Sequence, residues 1–163
     1  MSLSSSVQSL PVHPITSEAF KPYGQFIVAT DDGKPYDASD AQLCLTNGTP
    51  RFYIMRLHHR GRTFSKITRH RQCTQCLGAL DGKSWFIAVA PPGEMARPNW
   101  EQIQAFQVPG NGFIKLNLGT WHAGPYFDHP VVDFYNLELS DTNTIDHDTC
   151  DLRAEYGLEF EII

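Results

Sequence analysis

Two histidines carry the strongest chemical signal in this chain. His70 ends the β-type run Thr68-Arg69-His70 and is followed by Gln75, and His122 opens a second run behind the turn Asn117-x-Gly119-x-x-His122. Residues two apart on a strand share a face, so positions 68 and 70 point the same way, and a turn brings position 75 back beside them. Two imidazoles meeting in one cavity, each titrating near neutrality, can divide the work of general acid and general base. The same trio, His70, Gln75 and His122, is also a candidate set for a divalent metal ion. Its donors are all neutral, so such an ion is held weakly. The sequence does not choose between these two routes. The other five histidines read as surface: His58 and His59 beside Arg60 and Arg62 in a basic turn, and His13, His129 and His147 among prolines or acidic loop residues.

The elements that must position these side chains are short strands. Phe52 to His58, Phe64 to His70, Gln75 to Leu80, Ser84 to Ala90, Phe113 to Leu118, Trp121 to Phe127, Val131 to Leu139 and Leu158 to Ile163 are β-type, most of them bounded by Gly, Pro, Asn or Asp. Strands that reverse after five to eight residues return to a shared core, as in a sandwich or small barrel. Ahead of them, Thr16 or Ser17 caps a helix of one or two turns that Pro22 and Gly24 close, and Phe26-Ile27-Val28 is strand-like. Asp31 to Asp40 reads as a loop. Asn99 to Phe106 predicts a short helix with Trp100, Ile103 and Phe106 on one face. Neither an internal repeat nor a linker interrupts the chain, so 1–163 reads as one domain.

Composition narrows the class. A chain of 163 residues buries roughly 70% of its unfolded surface, enough for a core without staples. With 41% apolar and 19% charged residues it is an ordinary globular sequence. Its net charge of −5 has the wrong sign for a protein that binds by neutralising phosphates, which argues against nucleic acid. The longest apolar run, Trp85 to Ala90, is far too short for a membrane helix, and the first residues lack a signal core, so a cytoplasmic protein is expected. Cys73-x-x-Cys76 has no second pair to complete a zinc site. The four cysteines, at 44, 73, 76 and 150, are read as reduced thiols.

The spacing Thr68-x-His70-x-x-x-x-Gln75, six residues, Gly82, with Gly119-x-x-His122 later, resembles the two motifs of the cupin barrel. Thr68 stands where that motif has its first histidine and Gln75 where it has glutamate. Further segments narrow the likeness: Ile15-Thr16-Ser17-Glu18-Ala19-Phe20-Lys21-Pro22-Tyr23-Gly24, Arg69-His70 with Thr74-Gln75, Gly119-Thr120-Trp121-His122, Asp133-Phe134 and Cys150-Asp151. In this order they resemble the ureidoglycolate lyases, over about residues 14–152. The sequence departs from that family in having Thr68 for an acidic residue, Arg71 for proline, and Glu138-Leu139-Ser140 for Asp-Arg-Gly.

The resemblance implies an all-β, cupin-like barrel (a jelly roll) with a short N-terminal helix, forming a homodimer. It implies a lyase that splits (S)-ureidoglycolate into glyoxylate and urea, with no organic cofactor. That reaction needs a base for the hydroxyl proton, an acid for the departing nitrogen and a cation for the carboxylate. His122 is expected as base or metal ligand, and His70 as its partner acid or second ligand. Gln75 would orient the substrate or complete the metal shell. Lys115 or Arg69, with Arg56 behind them, would hold the carboxylate, although strand parity turns Arg69 away from His70. Trp121 would stack on substrate or pack on an outer or dimer face, and Asp133 would orient a histidine or lie exposed. Two other readings are an enzyme of the same lineage acting on another small 2-hydroxy or 2-oxo acid, and a module that only binds such an acid.

Overall fold

The computed structural model describes residues 5–163. Its backbone is organised as three β-layers. A three-stranded sheet has the order β1 (Ser6–Leu10), β14 (Leu158–Ile162), β5 (Thr63–Phe64). A five-stranded sheet runs β3 (Gly24–Val28), β10 (Gly112–Leu116), β7 (Gln75–Ala79), β12 (Val131–Leu139), β4 (Pro50–His58). A six-stranded sheet runs β13 (Asp148–Asp151), β6 (Lys66–Arg69), β11 (Trp121–Tyr126), β8 (Gly82–Ala90), β9 (Gln104–Gly110), β2 (Val12–Pro14).

The six-stranded sheet lies in the middle, and β8 shows why. Trp85, Ile87 and Val89 pack with Leu77, Ile114, Val132 and Phe134 of the five-stranded sheet, while Phe86, Ala88 and Ala90 pack with Phe64, Phe160 and Ile162 of the three-stranded one. A strand buried on both faces has no polar side to alternate with, so Trp85 to Ala90 is continuously apolar. The predicted all-β jelly-roll class is what forms. It is an open sandwich: the strand order of each larger sheet ends in edge strands instead of closing into one cylinder.

The predicted N-terminal helix is α1 (Ser17–Phe20), with Thr16 Oγ1 accepting from the Ala19 amide. The helix predicted over Asn99 to Phe106 does not form. Trp100–Gln102 makes one 3-10 turn, and from Gln104 the chain pairs with β8 as β9. Ala105 and Val108 are fully buried there, so ladder pairing and burial override the helical spacing. Two short helices follow β12: α2 (Thr142–Ile145), and α3 (Leu152–Tyr156), which is capped by the Asp151 carboxylate and ended by Gly157 at φ +67°. Among the described residues no helix is long and apolar enough to cross a membrane. All four cysteines are free thiols, and Cys73 and Cys76 have separate surroundings, the first beside the Thr142 hydroxyl and the second opposite Lys115 in the β-ladder.

Candidate active site

The five- and six-stranded sheets part at one end, and polar side chains occupy the gap. On β12, Val132 and Phe134 face the core, and the next two inward positions on the same face are Asn136 and Glu138, 2% and 1% exposed. On β7 the inward positions Leu77 and Ala79 are preceded by Gln75, also buried. From the opposite sheet β11 contributes His122, whose Cα pairs with Thr68 of β6. His70 follows directly after β6.

Both imidazoles are buried, and their ring centroids lie 5.0 Å apart. Each is held through Nδ1 by a backbone carbonyl: His70 by Asp146 at 2.6 Å and His122 by Thr120 at 3.3 Å. A carbonyl only accepts, so each Nδ1 carries the proton and each Nε2 keeps its lone pair. Burial pushes the pKa of His122 down to about 3, with the neighbouring His70 adding to the shift. Burial also lowers His70, while the hydrogen bond and charge of Asp146 act in the opposite direction. Both shifts favour the uncharged rings. Asp146 fixes the loop twice over, because its carboxylate also accepts from the amides of Arg71 and Gln72, each at 2.8 Å.

Beside the rings is a chamber of about 230 Å3 whose lining includes Tyr53, Gln75, Asn136, Glu138 and Asn143. Gln75 Nε2 donates to Asn136 Oδ1 and to Glu138 Oε2, each at 3.1 Å. A second recess, of about 410 Å3, has Thr68, Lys66 and Tyr126 in its lining. Arg60, His122, Gly124 and His147 border both spaces, so the histidine pair stands at their junction. The His147 ring is 5.6 Å from that of His70.

The structure brings His70, His122 and Gln75 to one cavity and places the other candidates elsewhere. Lys115 alternates with the core residues Ile114 and Leu116, so it lies on the far side of β10, opposite Cys76, with Nζ donating to Asn117 Oδ1 at 2.6 Å. Arg56 is exposed on β4 and forks onto Asp133 at 2.8 and 2.9 Å, which also accounts for Asp133. Arg69 faces away from the cavity, as parity requires, and is only 3% exposed. Its guanidinium meets Asp148 at 2.7 Å and the carbonyls of Gly93 and Met95, and lies over the Trp121 ring at 4.4 Å. Trp121 packs in the core between the six- and three-stranded sheets and lies on no outer face.

Arg60, His147, Glu138, Asn136 and Tyr53 were not anticipated. Arg60 and His147 looked like loop residues, and only the fold turns them toward the pair. Glu138 and Asn136 did leave a signal: they continue the inward alternation of Val132 and Phe134 with polar side chains. Buried polar groups on a core-facing strand ask for a polar cavity.

The jelly-roll sandwich thus holds two buried imidazoles between two polar cavities that share Arg60. A sequence profile describing the ureidoglycolate lyases matches residues 7–156, and the chain belongs to that family. Relatives named ureidoglycolate lyase include one from Azotobacter vinelandii, 26% identical over 135 residues and covering 76% of each chain. Another, from Pseudomonas fluorescens, is 28% identical over 145 residues, 77% of this chain and 78% of the relative. One from Schizosaccharomyces pombe is 26% identical over 139 residues, 67% and 73%. A solved structure of oxalate decarboxylase aligns with 12% identity and a TM-score of 0.42, and the chain spans 30% of its length.

Proposed function

We propose that this protein is a ureidoglycolate lyase that converts (S)-ureidoglycolate to glyoxylate and urea. The observation that carries the reading is the pair of buried neutral imidazoles, each with Nε2 freed by a carbonyl on Nδ1. His70 Nε2 takes the hydroxyl proton of the substrate. The oxygen becomes the aldehyde carbonyl as the carbon–nitrogen bond breaks, the bonding electrons leave with the nitrogen, and His70 returns the proton to it. One imidazole thus serves as base and then acid, where two dividing the roles were anticipated, because burial beside His70 leaves His122 with too low a pKa to hold a proton. His122 Nε2 accepts a hydrogen bond and aims the hydroxyl. A well-placed proton transfer of this kind is worth roughly 10²- to 10⁴-fold.

Arg60 takes the role first assigned to Lys115, Arg69 and Arg56. It borders both spaces, its Nη2 donates only to the Pro125 carbonyl at 3.3 Å, and it has no carboxylate partner among the described residues. A guanidinium so placed can hold a substrate carboxylate in a two-pronged grip.

Among the described residues no three His, Cys, Asp or Glu side chains stand together as a metal-binding group. Two imidazole nitrogens with free lone pairs are still donors of the kind a divalent first-row ion takes, so His70 and His122 would hold it through the same Nε2 atoms, in place of the proton transfer above, while Gln75 points its nitrogen at Asn136 and Glu138 and supplies no donor as it stands. Bound there, the ion supplies Lewis acidity toward the substrate's hydroxyl and carboxylate oxygens.

We further propose a cytoplasmic homodimer. Its support is β4, a nine-residue edge strand with Phe52 71% and Ile54 63% exposed, a long unpaired edge of the kind proteins usually cover. Light scattering at twice the 18.4 kDa chain mass checks this, and a monomer overturns it.

The deciding experiment gives the purified protein (S)-ureidoglycolate, with and without added divalent ions. Urea and glyoxylate in equal amounts are expected. No release under either condition rejects the lyase reading.

A further inference from the structure

We propose that the recess of about 410 Å3 is a subsite for free hydrogen phosphate, with Lys66, Arg60 and the Thr68 hydroxyl binding its oxygens and His122 Nε2 accepting its one O–H. The subsite rests on these side chains alone and stands whether or not the protein splits ureidoglycolate.

Strand parity puts the donors on one wall. Ile67 of β6 is fully buried among the residues packed toward the three-stranded sheet. Its neighbours Lys66 and Thr68 therefore turn to the other side, where Thr68 stands opposite His122. Thr63 and Ser65 add two more hydroxyls, and Arg60 closes the border with the chamber. Among the described residues no aspartate or glutamate lines this recess. Lys66 makes no ion pair there. Asp151 is its cross-strand neighbour on β13, but that carboxylate is engaged as the cap of α3, its Oδ1 accepting from the Arg153 and Ala154 amides at 3.0 Å. Arg60 likewise lacks a carboxylate partner. Two uncompensated cations in one concavity, in a chain of net charge −5, concentrate a positive field that draws an anion.

The hydroxyls and the imidazole narrow the anion. Thr68 Oγ1 and Thr149 Oγ1 lie 2.9 Å apart, and Thr149 Oγ1 is 3.3 Å from His147 Nδ1. Both contacts can run in either direction. When His147 Nδ1 donates to Thr149 and Thr149 to Thr68, the Thr68 proton is left for the recess, and an oxyanion there selects that direction. A lysine, an arginine and a hydroxyl suit an ion with several acceptor oxygens. His122, which is 9% exposed, sets the opposite demand: its Nε2 accepts only, because Nδ1 is the atom that meets the Thr120 carbonyl. Hydrogen phosphate meets both demands, since it carries three acceptor oxygens and one O–H. Sulfate has the same shape and charge but no proton to give.

The test compares those two ions. Calorimetric titration of the full-length wild-type protein, in slightly alkaline buffer with chloride holding the ionic strength, is expected to give at least about ten-fold tighter binding of phosphate than of sulfate. Lys66→Met should weaken both ions at least about five-fold. Lys66 is exposed, so this variant folds, and melting curves check that it does. Lys21→Met, which removes an exposed lysine outside the recess, should change neither affinity by more than about two-fold. No phosphate binding up to about 10 mM overturns the proposal, as do equal affinities for the two ions. So does a Lys66→Met protein that binds phosphate as before, which would place the anion at Arg60 alone, or binding that disappears with a chelator, which would place it on a metal ion. Phosphate binding without urea release keeps the subsite and rejects the lyase. Where urea is released, phosphate should raise the apparent KM and leave kcat unchanged, because Arg60 and His122 serve both ligands, and an unchanged KM at saturating phosphate overturns the proposal.

Discussion

The backbone amide of Gly119 donates to the carbonyl of His70 at 2.7 Å, and this bond ties the two histidine-bearing segments together at the point where they must meet. Gly119 sits at φ +78°, a left-handed conformation that a side chain disfavours, and the turn it makes is pinned again by Thr120 Oγ1 donating to the Tyr23 carbonyl at 2.7 Å. These bonds fix how the two backbones meet, and the rings they carry lie 5.0 Å apart. Catalytic groups held this way need little rearrangement when substrate arrives.

The two imidazoles are expected to be unequal. His70→Asn removes the group that carries the proton and should lower kcat by at least about 100-fold, whereas His122→Asn should cost less in kcat and more in KM. Steady-state urea release, with melting curves to show that both variants fold, separates the two. Equal kcat losses with unchanged KM would mean that the proton is shared between the rings.

Acid should weaken the fold through His122. Burial, with His70 adding to it, sets its folded pKa at about 3, below the unfolded value of 6.5. Between those values the unfolded chain binds the extra proton, so stability rises with pH there. His122 contributes its full share above 6.5, and that share is lost as pH falls toward 3. Tm measured across this window should fall toward acid in the wild type and fall less steeply in His122→Asn. Because His70 is also lowered by burial, activity should hold flat through neutrality, with its acid limb below 6.5.

Arg60→Ala should raise KM for ureidoglycolate at least about ten-fold with a smaller change in kcat, as expected when binding of the carboxylate is lost. Arg56→Ala and Lys115→Met should leave KM within about two-fold, since neither side chain reaches the cavity. A KM response to Lys115 but not Arg60 would reverse the assignment.

Arg69 acts on stability. Arg69→Met leaves Asp148 and the carbonyls of Gly93 and Met95 without their donor and removes the cation over Trp121. A loss of about 3 kcal/mol is expected, with KM unchanged in the folded fraction. Denaturant unfolding measures it, and a loss under about 1 kcal/mol would show that the buried guanidinium is dispensable.

Much of this was written in local pattern. The short strands between turn residues, a helix cap at Thr16 or Ser17 and the paired placement of His70 and Gln75 follow from alternation, capping and parity, which act over a few residues and leave their mark in sequence. Parity alone also turned Arg69 outward. What local pattern could not supply was partnership across the molecule. Asn99 to Phe106 has helical spacing, yet pairing with β8 makes most of it strand. Arg60 and His147 sit in unremarkable loops, and only the closing of two sheets places them at the junction beside His122. Lys115 is the converse case, a cation in the right strand that packing assigns to the other face. The sequence thus determined which residue types were available and which side of each strand they occupy. The tertiary structure decided which of them meet, because long-range strand pairing is governed by total burial and hydrogen-bond satisfaction, quantities that no short stretch of chain contains.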